Sequence, residues 1–532
     1  MGRKILFITT DQMRYDSLGC NGGKVARTPV IDRLAATGIN YRRANNQNVV
    51  CMPARSSMIT GQYVRTHGVV ANGVPLPADA PSVAAYLHER AGYRTALLGK
   101  AHFEPAFDLA GKWRENQLAR DASTGPYRGF EHMELAMHGP QKQWHYGKWL
   151  EDNHPGYVTG FYQLFTSKGM NDEGGGDTGA PEVKFNPIPR DYYHTDWVAD
   201  RTIAYLDALS PDEDWFVWMS FPDPHHPWDP PEAELRRVNW RELDLPDGHP
   251  GSVERCIEIL AQKPAHWLAY YEGRYRNVEG GPARFVPKLM THDQVREVNA
   301  MTHIQNELID EACGRVLRRV AERGWEQDTD VFFTTDHGEL QGDFGLLFKG
   351  PYHCDALMRL PCIWRPAPSA AVAPADVTDP VGQVDLAPTF CEIAGVPAPD
   401  WMQGKPLPKT PGAGHERMIT EWDSQFPGMG MHLRTIHRDG YTCTVYEPST
   451  RDDTGLEATL DPRFASVVGR PRTDILYDGT EGELYNHVED PRQWRNLWSD
   501  PGYQKIKRDL IDDLYASLPR ARTPRLLVEA PT

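Results

Sequence analysis

The feature that most restricts the fold of this chain is a repeated alternation of strand-length apolar runs with helical segments. Lys4–Thr9 reads as a buried strand, and Thr28-Pro29 sets a cap and a first-turn proline ahead of a helix that closes at Gly38. A helix at about Pro81–Arg90 precedes a strand at Tyr93–Leu98. Another, starting near Thr195, precedes Trp215–Phe221, which is apolar almost throughout. The long helical stretch His292–Arg323 leads through Gly324 into Thr329–Thr335. Strands apolar on both faces and separated by helices predict an α/β fold, a large, mostly parallel sheet sandwiched by helices.

Ligands of such sheets gather beyond the carboxyl ends of the strands. Asp11 and Gln12 follow the first strand, Lys100 and His102 another, His225 a third, and Asp336 with His337 a fourth. One topological rule thus brings four sequence-distant polar segments to one edge, which predicts a single site. Two regions interrupt the alternation. Glu104–Arg190 and Trp228–Lys288 are long, weakly periodic and rich in Gly, Pro and aromatic residues, the character of lids or specificity elements. Beyond about Asp400 the pattern changes. Met418–Trp422, Leu433–His437 and Tyr441–Tyr446 read as short antiparallel strands, the last two joined at Arg438-Asp439-Gly440, and a closing helix spans about Gln504–Leu518. The expected division is a large α/β domain over 1–400 and a smaller α+β subdomain over 401–532.

A net charge of −16 over 532 residues excludes a nucleic-acid binder, which needs a basic surface. An acidic body that binds an anion needs a local island of Lys, Arg, His and metal. The apolar run after Met1-Gly2-Arg3-Lys4 is too short for a secretory signal, and no stretch approaches the roughly 18 apolar residues of a membrane span. The expectation is a soluble cytoplasmic protein with no membrane partner. Eight cysteines without CxxC spacing read as reduced thiols, Cys51 apart. The Leu526-Leu527-Val528 tail beyond the last helix suggests contact with a neighbouring copy, hence a homo-oligomer.

Cys51-Met52-Pro53-Ala54-Arg55 leads into a segment ending at Gly61. Pro53 can open a helix there, which places Cys51 just ahead of an N-terminus whose partial positive charge favours anions. Other segments have plainer readings when taken singly. Asp11 or Asp336 after a strand is a cap or turn residue, and Lys100-Ala101-His102 is a solvated lysine with a surface histidine. Pro224-His225-His226-Pro227 is a proline-bounded loop, Lys349 a surface lysine, and Asn72-Gly73 a turn.

Together and in this order the segments resemble the sulfatase family, across most of the chain. The resemblance implies an alkaline-phosphatase-like fold and oxidation of Cys51, the Cys of C-x-P-x-R, to formylglycine by a dedicated generating enzyme. Ala54 stands where the family commonly has Ser. Thr9-Thr10-Asp11-Gln12 is similar to the first metal segment, with Gln12 in place of the commoner Asp, and Thr335-Asp336-His337-Gly338-Glu339 to the second, with His337 in place of the commoner Asn. The implied ligands are Asp11, Gln12, Asp336, His337 and the modified Cys51. This oxygen-rich set suits Ca²⁺, with His337 leaving room for Mn²⁺ and Mg²⁺ a further candidate. Leu98-Gly99-Lys100-Ala101-His102 is similar to G-K-x-H, His225 stands at the family's P-H-x-P histidine, and Lys349 matches a second active-site lysine. Asn72 matches a residue near the site in some branches, and Glu483-Leu484-Tyr485-Asn486 the closing segment.

The implied catalytic residues are Cys51, Arg55, Lys100, His102, His225 and Lys349, with Asn72, Lys100, His225 and Lys349 binding substrate. The implied reaction is hydrolysis of a small-molecule sulfate ester of arylsulfatase type. A phosphonate monoester or phosphodiester hydrolase with the same nucleophile would suit Gln12, Asn72 and His337, whereas Lys100 and His102 favour the sulfatase. A silent binding protein has no need of the full set, and a cysteine hydrolase would not explain the Asp segments. Trp144, Trp149 and Trp228 permit an aryl or sugar leaving group.

Overall fold

The structure, a computed structural model, describes residues 2–106, 111–162, 174–275, 279, 281–282, 285–424, 430–449 and 475–530. In chain order the strands of the large domain are β1 (Lys4–Thr10), β2 (Ile39–Tyr41), β3 (Ala44–Asn45), β4 (Arg94–Gly99), β5 (His132–Leu135), β6 (Trp215–Ser220) and β7 (Thr329–Thr335). They continue with β8 (Arg359–Leu360), β9 (Cys362–Arg365), β10 (Ala375–Val377) and β11 (Val381–Gly382). Among the described residues eight of them form one sheet in the order β10-β2-β9-β7-β1-β6-β4-β5, and β11-β3-β8 form a small second sheet. In the large sheet only β9 runs against its neighbours β7 and β2.

The register aligns the strand ends that matter. Thr10 pairs with Thr335, Thr9 with Ser220, and Gly99 with both Ser220 and Leu135. Five parallel strands therefore release their chains along one edge.

The alternation of a strand explains why the central runs are apolar throughout. Ile5, Phe7, Phe216, Trp218 and Phe332 enter one core, with Val83, Leu87 and Phe390 of the covering helices Val83–Ala91 and Leu386–Ile393. Leu6, Ile8, Val217, Met219, Val331 and Phe333 enter the opposite core. There Val198 and Leu206 of the helix His194–Ala208 meet Leu308 and Val316 of the helix His292–Glu322. Both faces are buried, so neither tolerates a polar stripe.

The C-terminal part is an antiparallel sheet of β12 (Arg417–Asp423), β13 (His432–Arg438), β14 (Tyr441–Glu447) and β15 (Gly482–Asn486). Asp439 and Gly440, at φ 53 and 77, make the two-residue turn between β13 and β14. One face of this sheet (Ile419, Ile436, Cys443, Leu484) packs on Leu510 and Leu514 of the helix Gln504–Ser517.

The segment Glu104–Arg190 is loop over most of its described length, with the helices Arg114–Arg120 and His145–Asn153 and the edge strand β5 set within it; residues 107–110 and 163–173 lie outside the described ones. Two expectations need correction. Trp144 and Trp228 are core residues at 2% and 0% exposure, and Trp149 stacks near Tyr146 and Trp197, so the fold itself accounts for these rings. The C-terminal tail engages its own chain. Arg522 N–H donates to Arg65 O and Glu529 N–H to Gly73 O, and Leu526 and Val528 pack on the large core. Among the described residues no helix is long and apolar enough to cross a membrane.

Candidate active site

The segments leaving the sheet edge meet the helix Cys51–Thr60, all ten of whose residues are buried. Cys51 is the first residue of this helix rather than the residue ahead of it, so Pro53 lies within the first turn, where its missing N–H costs nothing. Gly61, at φ 65, ends the helix. The first-turn N–H of Met52 donates to Asn72 Oδ1 at 3.0 Å, and Asn72 Nδ2 donates to Glu279 at 2.9 Å. Three site loops each carry a non-glycine residue in the left-handed region: Gln12 (φ 65), His102 (φ 58) and Phe348 (φ 70). Each costs on the order of 1–3 kcal/mol, a strain typical of functional sites.

Asp11, Cys51, Asp336 and His337 each place one ligating atom within 4.8 Å of the others, all buried. His337 Nε2 lies 3.1 Å from Cys51 Sγ, 3.6 Å from Asp11 Oδ1 and 3.8 Å from Asp336 Oδ1. Its Nδ1 is 2.9 Å from the Gly338 carbonyl, which can only accept. The proton therefore sits on Nδ1 and the Nε2 lone pair faces the cluster, the tautomer of a metal-ligating histidine. Burial lowers the His337 pKa to about 4, which keeps the ring neutral. Burial pushes the Cys51 thiol up to about 12, reinforced by Asp11. An unmodified Cys51 is thus a poor thiolate nucleophile. Burial opposes ionisation of Asp11 as well, yet Lys100 foremost holds its carboxyl well below the usual range.

Cations surround this cluster. Arg55 Nε donates to Asp336 Oδ2 at 2.8 Å, and its Nη1 donates to Lys100 O at 2.8 Å and Ser220 Oγ at 2.9 Å. Arg55 Nη2 is buried with no hydrogen-bond partner among the described residues and lies 3.8 Å from Asp11 Oδ2, a donor suited to an oxygen at the cluster. Lys100 Nζ contacts Asp11 Oδ2 and lies 2.9 Å from His138 Nε2. Lys349 Nζ donates to Gln12 Oε1 at 2.7 Å and to His225 Nε2 at 2.6 Å. His225 Nδ1 contacts the His226 carbonyl. Burial is the first cause holding the His102, His138 and His225 pKa values well below 6.5, with Lys100 next for His102 and His138. Three side-chain cations thus face the two carboxylates Asp11 and Asp336. Adding a divalent ion leaves a positive surplus for an anionic group, the local island that an acidic chain requires.

The residues expected to bind metal, bind substrate or act in catalysis come together here. His102 is buried beside Lys100 and Arg55, close enough for both to depress its pKa. Gln12 takes part through its amide: Nε2 donates to Glu339, and Oε1 accepts from Lys349. Sequence reasoning missed His138, Glu339 and Ser220. His138 follows β5, so the strand-end rule would have found it had β5 been recognised; Ser220 closes β6, a strand the sequence did show, and was passed over there because it lies inside the run Trp215–Phe221. Glu339 could have been noticed only as the second acid of Asp336-His337-Gly338-Glu339.

A family model described as Sulfatase matches residues 3–396. The uncharacterized sulfatase YidJ of Escherichia coli K12 is 24% identical over 520 residues, 98% of this chain and 88% of its own. An arylsulfatase of Clostridium perfringens is 26% identical over 415 residues, 76% of this chain and 78% of its own. The phosphonate monoester hydrolase SpPMH from Silicibacter pomeroyi shares the fold, with a TM-score of 0.74 at 21% identity over 98% of this chain and 96% of that one.

Proposed function

The chain belongs to the sulfatase family, and from that premise we propose that it hydrolyses sulfate monoesters at a formylglycine derived from Cys51. The observation that carries this reading is the convergence of Asp11, Asp336 and the His337 Nε2 lone pair on Cys51 Sγ, inside a ring of Arg55, Lys100 and Lys349. The Sγ position stands in for an oxygen of the hydrated aldehyde.

Asp11, Asp336, His337 and Gln12 Oε1 would hold one divalent cation. Carboxylate and amide oxygens suit Ca²⁺, and the imidazole nitrogen brings in Mn²⁺. When bound, the ion lowers the pKa of a coordinated hydroxyl and draws charge from the ester oxygens. The remaining work falls to the chain. Arg55 fixes the oxygens on residue 51 through the Nη2 donor. One hydroxyl of hydrated residue 51, its proton passing to the Asp336 carboxylate, attacks sulfur as the bond from sulfur to the leaving oxygen breaks. Lys100 and Lys349 offset charge on the transferring oxygens, usually the largest catalytic contribution. Burial keeps His225 neutral, so the proton for the leaving oxygen comes from the Lys349–His225 pair, with Lys349 as its donor. The neutral His102 then takes the proton of the second hydroxyl on residue 51. The carbon–oxygen bond to sulfate breaks, sulfate departs, and the aldehyde returns. A serine or cysteine has no second hydroxyl and would stop as a covalent ester.

The partners of this reading are a small-molecule sulfate ester and, during maturation, a formylglycine-generating enzyme. A second reading, phosphonate monoester hydrolysis, is favoured by Gln12, Asn72 and His337 and by the fold shared with SpPMH. The pair Lys100 and His102 tips the balance to sulfate. Comparing kcat/KM for an aryl sulfate and the matched aryl phosphonate ester separates the two. A higher value for the sulfate is expected, and a higher value for the phosphonate would install the second reading.

A further inference from the structure

Three imidazoles form a continuous stack along one wall of the site. His138 lies on His225 with ring centroids 3.9 Å apart and planes inclined by 18°, and His225 lies on His226 at 4.1 Å and 20°. The outer ring is anchored, with His226 Nδ1 on Glu182 and its ring against Phe348 and Trp228. The inner ring turns Nε2 to Lys100 Nζ at 2.9 Å, with Asp11 Oδ2 at 3.6 Å. An ammonium has donors only, so His138 Nε2 is the bare nitrogen and accepts from Lys100.

The geometry points to His138 as a positioning residue for sulfate transfer, aiming Lys100 through Nε2 and fixing the plane of His225 through the stack. This role rests on the sulfatase reading above. Lys100 ends a flexible four-carbon stem whose ammonium rotates freely. Asp11 alone would draw Nζ onto a carboxylate assigned to the metal. A neutral acceptor beside that carboxylate shares the ammonium and keeps it at the rim, where the ester oxygens arrive. His225 poses a different problem. Its two nitrogens are held in the ring plane, Nδ1 by the His226 carbonyl and Nε2 by Lys349. Two in-plane bonds define an axis about which the ring can still rock. Rings stacked on both sides block that motion, so the Lys349–His225 pair keeps its aim at the leaving oxygen. His138 is delivered by the edge strand β5, three residues beyond Leu135.

The two roles separate by substitution in the metal-loaded, converted protein. His138→Phe keeps a ring for the stack and loses the acceptor. His138→Gln keeps an acceptor near the Nε2 position and loses the stack. Each is assayed on para-nitrophenyl sulfate, whose leaving group needs little protonation, and on phenyl sulfate, whose leaving group needs it. His138→Phe is expected to lower kcat/KM about 10- to 100-fold on both esters, the loss of a hydrogen bond to a charged group. His138→Gln is expected to stay within about 3-fold of wild type on the nitrophenyl ester and to fall about 10-fold on phenyl sulfate. Melting temperatures are recorded for both variants. If both lower the two esters by one common factor that follows the melting temperature, or if neither changes them, the positioning role is overturned. A wild-type protein that hydrolyses neither ester overturns the sulfatase reading and this role with it, whereas active wild type with unaffected variants overturns this role alone.

Discussion

Arg55→Ala should destabilise the protein severely, because its guanidinium is buried among groups that have little else to bond. It is 0% exposed, donates to Asp336 Oδ2 at 2.8 Å, and satisfies the Lys100 carbonyl and Ser220 Oγ at 2.8 and 2.9 Å. Breaking a buried ion pair by deleting one partner costs about 3–5 kcal/mol. Counting bonds instead, the donor is a charged guanidinium in all three, and charge-assisted hydrogen bonds at about 1.5–3 kcal/mol each give about 4.5–9 kcal/mol if they add fully. The two ranges overlap at their common end, and a loss of about 4–5 kcal/mol is expected in chelator-treated protein. The loss should shrink when a divalent ion is supplied, since the ion compensates the Asp336 charge. Arg55→Lys restores the charge without the planar fork, and should recover only part of the loss. Urea denaturation with and without chelator measures this as a shift in midpoint at unchanged slope. Activity should fall at least about 100-fold in parallel. A stability loss below about 1 kcal/mol in chelator would mean that Arg55 does not hold Asp336, and the assembly of the site as described would be wrong.

Asp336→Ala should abolish both metal and turnover; a variant that retains stoichiometric Ca, Mn or Mg by elemental analysis, or full activity, would place the metal elsewhere. His102→Ala should leave the first attack fast and slow the release of sulfate, giving a burst with an aryl sulfate and a mass increase on the peptide holding residue 51; steady turnover without a burst would remove His102 from that step. Glu115 is buried beside Glu104, and burial first, then Glu104, raises its pKa to about 7 from an ordinary 4.5. The folded state then binds a proton that the unfolded state has lost between those values, so stability falls as pH rises through that window. Glu115→Gln should therefore be more stable than wild type at pH 8 by about 1–3 kcal/mol and nearly equal to it at pH 5; equal stability at both would show that the pair ionises without penalty.

The legibility of this chain followed the physics of burial. β1, β6 and β7 sit inside the sheet with both faces covered, so their sequences are apolar without a break and visible as strands. β5 is an edge strand whose residues alternate between buried and half-buried, His132-Met133-Glu134-Leu135, and such a short mixed run resembles loop. Missing β5 meant missing His138. The antiparallel β9 was equally silent, since four residues beside a proline carry no directional signal. Asp11, Lys100, Asp336 and His337 were legible because strand ends and family motifs coincide on them. Glu339 was not, because its role exists only through a contact with Gln12 more than three hundred residues away. The tail after the helix Gln504–Ser517 misled for a related reason: its apolar residues announce burial, and only the fold shows that the burying partner is the loop around Gly73.

The chemical state of residue 51 is the most direct test of the account. Protein made in a host that carries the formylglycine-generating enzyme should be digested and its residue 51 peptide examined by mass spectrometry, with and without a hydrazide that traps aldehydes. The account predicts an aldehyde in place of the Cys51 thiol, in a fraction that rises and falls with specific activity across preparations. Fully active protein whose residue 51 is unmodified cysteine throughout would contradict it.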